Sequence, residues 1–403
     1  MRLTYLSASA QLGGAETALL DVIAAVREAK PSWPIQVVIA ADGPLAARVT
    51  ALGAEPAILP FPESVARIGE HAAARATGGY ARLAAQLGLA AAPVAGYTRQ
   101  LAQTVSAFGP DLVHSNGLKL HVLAAMARFD APLVWHLHDY IGSRRATSRL
   151  LRWNRARCAA IVANSRSVAD DVRRAVGGDI PVVAVHNAVD LSRFSPDGNR
   201  QDLDQLAALP PAIGGTVRIG LVATFARWKG HETFMRAIAA LADAPVRAYV
   251  IGDALYQTEG SQYSRDELAR LATACQLGDR IGFTGFVERV DDVYRALDVV
   301  VHASTAPEPF GLVIAEAMAC ARAVVVSNAG GAAEVVTPGV DALTHAPGDV
   351  DALAAALRIL IFDAAKRAAL GRAARQTALR GFDRARLARE LLTVYESAAA
   401  VRA

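Results

Sequence analysis

The 403 residues hold only three cysteines, Cys158, Cys275 and Cys320, far apart and in no CxxC spacing. An odd, dispersed set of thiols builds no disulfide framework and supplies no zinc site, and it suits a reducing compartment. An excess of one charge is lacking too. The 42 basic and 38 acidic side chains leave a formal net charge of +4, so no global field selects nucleic acid, and none is expected as a partner. Long apolar runs are missing: the Ala-rich region 81–95 is broken by Arg82, Gln86, Gly88 and Pro93, and no stretch reaches the roughly 18 apolar residues that a membrane span requires. The opening Met1-Arg-Leu-Thr-Tyr-Leu runs straight into a polar, glycine-containing segment with no apolar h-region or cleavage site, so a cytoplasmic protein is expected. Neither GxGxxG nor GxxxxGK(S/T) occurs, which argues against NAD-type and P-loop nucleotide binding.

What remains is a chain with 53% hydrophobic and 20% charged residues, well stocked for burial and therefore globular rather than disordered. Its length exceeds one typical core and suggests two domains. Short β-branched runs alternate with longer Ala/Leu/Arg segments, the pattern of βα units and of an α/β fold with parallel sheets. Strands are expected near 2–8, 35–40, 111–115, 133–137 and 160–164. A second series follows near 217–223, 246–251, 281–283, 298–302 and 323–326. Between the two lie Asn187-Ala-Val-Asp-Leu-Ser-Arg-Phe-Ser-Pro and a polar tract to Gly215, which puts the domains at 1–190 and 191–380, with a terminal helix at 381–403.

The segment with the most chemistry is Pro307-Glu-Pro-Phe-Gly-Leu-Val-Ile-Ala-Glu316, in which Glu308 and Glu316 flank Phe310-Gly311-Leu312 downstream of a β-run. That order predicts strand, tight turn and helix. Gly311 lets a ligand approach the backbone, amides at Gly311 and Leu312 take an anion, and the two carboxylates accept hydroxyl protons from a polyol. Helix capping and solvation are the plainer reading of the same glutamates.

Gly13-Gly14 close the first strand and open a helix, where a simple tight turn and an anion cradle both fit. His138 stands at the carboxyl end of a predicted strand, where open parallel sheets collect ligands. A metal reading of His136-Leu-His-Asp139 would need further ligands, since the longer HxHxDH arrangement is absent. Lys229-Gly230 offers a cation on a loop that can close onto a pyrophosphate. Asp202-Leu-Asp204 and Asp349-Val-Asp351 are literal DxD sequences, but both sit where aspartate caps a helix or lies in a linker, so no metal is expected. Arg144 to Arg157 carries six arginines in fourteen residues, with Leu150, Leu151 and Trp153. Such a segment suits anionic lipid headgroups or an acidic acceptor, and equally a solvated basic face.

Taken in order, the chain presents a GG turn, His-Leu-His-Asp, Asn-Ala-Val-Asp-x3-Phe, Trp-Lys-Gly, Glu-Pro-Phe-Gly-x4-Glu and Gly330-Gly-x-x-Glu334. This series, from about residue 10 to residue 395, resembles the retaining GT-B glycosyltransferases of family GT4. The resemblance implies an α/β GT-B fold, two Rossmann-like domains facing across a cleft, with the last helix returned to the first domain. It implies transfer of a sugar from a nucleotide-diphosphate donor (UDP or GDP) to an acceptor hydroxyl, with retention and without metal or other cofactor. By their charge alone, the segment 144–157 and the arginine-bearing stretch 63–108 (Arg67, Arg75, Arg82, Arg99) suggest an anionic acceptor and peripheral contact with an anionic membrane; the resemblance allows a glycan, a lipid-linked sugar or a small molecule as acceptor. On the same basis His138 and Glu308 are catalytic, and Gly13, Gly14, Arg227, Lys229, Phe310, Gly311, Leu312 and Glu316 bind the donor. Asn164-Ser165 matches a strand-end serine of the family. One departure is plain: where the family carries Gly-Arg at a strand end, this chain has Ala223-Thr224, so Arg227 is the candidate replacement for the missing cation. An epimerase or hydrolase on the same plan, and a non-catalytic scaffold, remain open as alternatives.

Overall fold

The computed structural model describes residues 1–66, 79–254 and 260–400, and of residues 79–90 the backbone alone. Arg67, Arg75 and the Arg82 side chain, part of the arginine-bearing stretch before residue 108, fall outside the described residues. The chain divides into two compact units, Met1–Ala188 with Arg384–Ala403, and Val189–Asp383.

In the first unit, strands β1 (Leu3–Ser7), β2 (Ile35–Ile39), β3 (Glu55–Ile58), β4 (Leu112–Asn116), β5 (Leu133–Leu137), β6 (Cys158–Ala163) and β7 (Val182–Ala184) form one sheet. Their order is β3-β2-β1-β4-β5-β6-β7, and every pairing is parallel. Every residue of β1, β2, β4 and β5 is buried, because helices cover both faces; such strands read as continuous runs rather than alternating ones. On one face, the helices Gly14–Ala29 and Arg384–Ala400 pack Leu19, Ile23, Leu387, Leu391 and Tyr395 into a common core with Tyr5 and Val37. Arg384 fastens the terminal helix through Asp21 at 2.7 Å.

The second unit repeats the plan with β8 (Val217–Val222), β9 (Val246–Ile251), β10 (Ile281–Gly285), β11 (Val299–His302), β12 (Ala323–Ser327) and β13 (Leu343–His345). The order is β10-β9-β8-β11-β12-β13, again parallel throughout. In both sheets the strand order reverses direction once, between β1 and β4 and between β8 and β11. Open parallel sheets bind ligands outside the carboxyl ends of the strands at such a reversal.

Three strands escape the sequence reading, β3, β7 and β13, and all three are sheet edges. Pro56 within β3 is tolerated only at an edge, and the other two are three residues long, too short for a pattern. Both DxD stretches do cap helices. Asp202 accepts from the Gln205 amide at 3.0 Å and Asp349 from the Ala352 amide at 2.9 Å. Asp204, expected in a loose linker, is instead buried against the second sheet, where Tyr249 donates to it at 2.6 Å and Arg247 at 2.9 Å. Burial pulls its carboxyl up, but these donors outweigh that and hold it down at about 2.

Candidate active site

In the second unit the charged residues converge at the β8/β11 reversal. The turn after β8 carries a 3-10 helix, Arg227–Lys229, closed by Gly230 at φ 77. A Cβ on Gly230 would stand 1.9 Å from the Ala303 carbonyl oxygen, so only glycine lets this turn lie against the end of β11. That approach delivers Lys229 to Glu308: its ammonium donates to both carboxylate oxygens, at 3.0 and 2.7 Å.

Glu308 is 7% exposed. Ser304 donates to its Oε2 at 3.0 Å, and His302 Nε2 lies 3.2 Å from the same oxygen. Burial raises the carboxyl pKa, yet Lys229 and then His302 outweigh it, and Glu308 stays ionised well below the usual carboxylate range. The Glu308 carbonyl accepts from the Gly331 amide at 2.7 Å, which fastens the turn to the Gly330-Gly331 segment after β12.

Gly311 sits at φ 94, the left-handed region, and stands at the N-cap of the helix Leu312–Ala319, where it has no side chain to bond the first amides. The helix therefore begins at Leu312, and Glu316 falls just over one turn into it. Tyr294, buried, donates to Glu316 Oε2 at 2.8 Å. Phe310, named with the donor-binding residues, is a core residue: its ring is 2% exposed and meets Phe382 edge-on, at 5.8 Å between centroids. What it can offer a ligand is confined to its backbone.

Arg227 is not gathered into this cluster. Its guanidinium donates to Glu267 at 2.6 Å and to the Gly260 carbonyl at 3.2 Å, and it covers the Tyr263 ring at 4.3 Å. In this arrangement Lys229 is the cation that faces Glu308.

In the first unit, Gly13 caps the helix Gly14–Ala29 with extended backbone, and a Cβ on Gly14 would meet nothing within 4 Å. The Glu16 carboxyl, raised by burial, is stabilised in turn by the amides of Glu16 and Gly13. His138 follows β5 directly. Its Nε2 lies 2.5 Å from Asn116 Oδ1 at the end of β4, and its ring lies tilted at 41° against His136, 4.0 Å between centroids. Burial lowers its pKa to about 4, so the ring is neutral at neutral pH. Asn164 donates to the His138 carbonyl at 3.3 Å, and Ser165 caps the next helix through the Val168 amide at 3.1 Å.

Sequence reasoning assigned no role to His302, Ser304, Tyr294 or Asn116. His302 ends a strand as His138 follows one, and the same positional argument finds it. Ser304 and Tyr294 carry no comparable signal, since what matters is a single contact across the fold.

Two parallel Rossmann-type units, one with Lys229 set on the buried Glu308 at its switch point, are the parts of a GT-B protein, and comparison with known proteins shows the fold and the family. Residues 212–377 match the glycosyl transferases group 1 family and residues 12–193 match glycosyltransferase family 4. A D-inositol 3-phosphate glycosyltransferase of Xylanimonas cellulosilytica is 33% identical over 293 residues, 68% of each chain. The lipopolysaccharide core mannosyltransferase LpcC of Rhizobium leguminosarum bv. viciae is 31% identical over 219 residues, 54% of this chain and 60% of that one. Among solved structures, Anabaena Alr3699/HepE in complex with UDP and glucose superposes with a TM-score of 0.78 at 27% identity, covering 98% of this chain and 99% of that one. The chain belongs to the family 4, group 1 glycosyltransferases of GT-B fold.

Proposed function

We propose that the protein moves a glycosyl unit from a nucleoside-diphosphate sugar to an acceptor hydroxyl with retention of anomeric configuration. The observation that carries this reading is the Lys229–Glu308 pair at the β8/β11 switch point, a cation and a carboxylate beside a helix N-terminus whose N-cap is glycine. As the glycosidic bond breaks, negative charge grows on the leaving diphosphate. Fixed donors aimed at that charge stabilise it without reorganisation. Lys229 has a third N–H beyond the two given to Glu308, and the amides of Gly311 and Leu312 stand at a helix N-terminus; these take the diphosphate in our reading. In the first unit, Gly14 offers its amide to a phosphate, while the Gly13 amide already meets the Glu16 carboxylate. Glu308 receives sugar hydroxyls, Glu316 the ribose hydroxyls, and His138 the reacting face. Arg227 joins only if it leaves Glu267. No metal is called for, since the leaving charge has these partners and both DxD stretches are engaged as caps. The solved relative that holds UDP and glucose supports a nucleoside-diphosphate donor.

The test is calorimetry with UDP and GDP, followed by hydrolysis of UDP-, GDP-, ADP- and TDP-sugars with and without EDTA. We expect one nucleotide to bind and one donor class to be hydrolysed slowly, unaffected by chelation. A folded protein that binds neither nucleotide would be a scaffold, and one that converts donor to its epimer without acceptor would be an epimerase.

A second reading concerns the place of work. Trp153 is 86% exposed, on a helix, Arg145–Asn154, whose buried side carries Ser148 and Leu151. Arg145, Arg149 and Arg152 are exposed on that helix, and Arg144 pairs with Asp139. Among the described residues no helix is long and apolar enough to cross a membrane. We infer a cytoplasmic enzyme that touches an anionic bilayer here, because an indole among guanidiniums suits the headgroup layer, and a lipid-linked acceptor would then be within reach. Co-sedimentation with anionic vesicles should fall at least about tenfold in Arg149→Glu/Arg152→Glu, at roughly 1 kcal/mol per basic residue. Equal pelleting of variant and parent removes the membrane contact.

A further inference from the structure

We propose that Asn116 is a positioning residue that sets His138 as the Nε2–H tautomer and ties it to the Gly13-Gly14 turn. Asn116 ends β4, beside β1 and β5 in the sheet, and is 1% exposed. Its side chain reaches in two directions. Nδ2 donates to the Ala15 carbonyl at 3.2 Å, in the first turn of the helix that Gly13 caps. Oδ1 lies 2.5 Å from His138 Nε2.

The donor and acceptor roles follow from the first of these contacts. A backbone carbonyl only accepts, so the amide must turn its NH2 toward Ala15. The flipped amide would set two oxygens against each other at the helix and leave a buried NH2 facing the imidazole. With Nδ2 committed, Oδ1 is the group facing His138, and an oxygen there requires a proton on Nε2. A neutral imidazole carries one ring proton, so Nδ1 holds the lone pair.

Nδ1 is buried and has no hydrogen-bond partner among the described residues. His138 therefore has an acceptor to offer and no free N–H. Whatever meets Nδ1 must therefore donate to it: a hydroxyl fits there and a phosphate oxygen does not. Because Asn116 grips the helix that opens at Gly14, movement of that turn on a diphosphate would be passed to the ring through one amide. Both consequences for catalysis rest on the function proposed above; the tautomer itself does not.

The experiment is nitrogen NMR of the protein labelled in its histidine rings, with the His138 signals assigned by their loss in His138→Gln. The parent should show a protonated Nε2 and an unprotonated Nδ1 at His138. Asn116→Asp keeps an oxygen toward Nε2 but gives up the donor to the Ala15 carbonyl, so it should keep the Nε2–H while releasing the helix, whereas Asn116→Ala should give a mixture of tautomers. Transfer by Asn116→Ala should lose about tenfold in kcat, the order of one hydrogen bond, with the KM for donor little changed, and Asn116→Asp should recover part of it. A parent protein with the proton on Nδ1 overturns the proposal even if no variant folds, and so does an unchanged Nε2–H pattern in a folded Asn116→Ala. If instead the NMR pattern holds while His138→Gln transfers sugar at the parent rate, the tautomer assignment stands and the catalytic role proposed for His138 falls.

Discussion

Lys229→Met is expected to cost about 3 kcal/mol of folding stability at pH 7, the lower end of what breaking a buried ion pair costs, and to weaken nucleotide binding ten- to a hundredfold. The lower end applies because the Lys229 side chain is 19% exposed and Ser304 and His302 still face Glu308 in the variant. What the methionine leaves behind is a carboxylate buried without its cation. The pH dependence of the loss distinguishes this cause from lost packing. In the parent, the folded Glu308 pKa lies below its unfolded value, so the stability it contributes is present above about pH 4.3 and declines only as pH falls below that. Without Lys229 the burial effect dominates, and the folded pKa moves above the unfolded one. The variant then regains stability as pH drops from 7 toward 4.5, a range in which the parent's Glu308 contribution does not change. Urea unfolding of both proteins at pH 7 and pH 4.5 should show the gap closing. Lys229→Met/Glu308→Gln should recover most of the stability and none of the transfer, the non-additivity expected of two contacting groups. A gap equal at both pH values would mean that Glu308 is not left charged and unpaired.

The interior of both sheets was legible because parallel strands covered on two sides are written as unbroken runs such as Val299-Val-Val and Ala323-Val-Val-Val. The edge strands β3, β7 and β13 are short and less buried, and β3 accepts Pro56, so they leave no such run. At the site, the glutamates and Lys229-Gly230 were legible as motifs, but the bond between Lys229 and Glu308 was not: it spans 79 positions and depends on how closely two loops approach. Arg227 shows the limit from the other side. Three positions past a missing arginine, a cation looks like its replacement, yet Glu267 and Tyr263 claim it from elsewhere in the chain. Phe310 lies inside a recognisable ligand motif but faces the core, because the turn needs an anchor as much as a ligand needs the turn. Asn116 is marked only by its place at the end of β4, and the contact that gives it meaning is to a carbonyl 101 positions away.

Two glycine substitutions separate what the fold needs from what a ligand needs. Gly230→Ala should lose about 3–5 kcal/mol, combining a left-handed backbone penalty of about 1–2 with the displacement of a crowded backbone. The added methyl would meet the Ala303 carbonyl oxygen at 1.9 Å, and a carbonyl fixed at the end of a buried strand has nowhere to go. The turn must lift, and Lys229 lifts with it, so nucleotide binding should fail together with stability. Gly14→Ala should behave in the opposite way. Its methyl meets nothing within 4 Å and the residue is helical, so the protein should gain about 0.5–1 kcal/mol from the better helix former. The chain's own packing therefore gives no reason for glycine at position 14. If that space admits a diphosphate, the more stable Gly14→Ala protein should bind UDP or GDP at least about tenfold more weakly, the loss of one good backbone contact. Thermal unfolding and calorimetry on the same two samples decide it: Gly14→Ala with undiminished nucleotide affinity would remove the first-unit turn from the donor site, while leaving the Lys229–Glu308 cluster untouched.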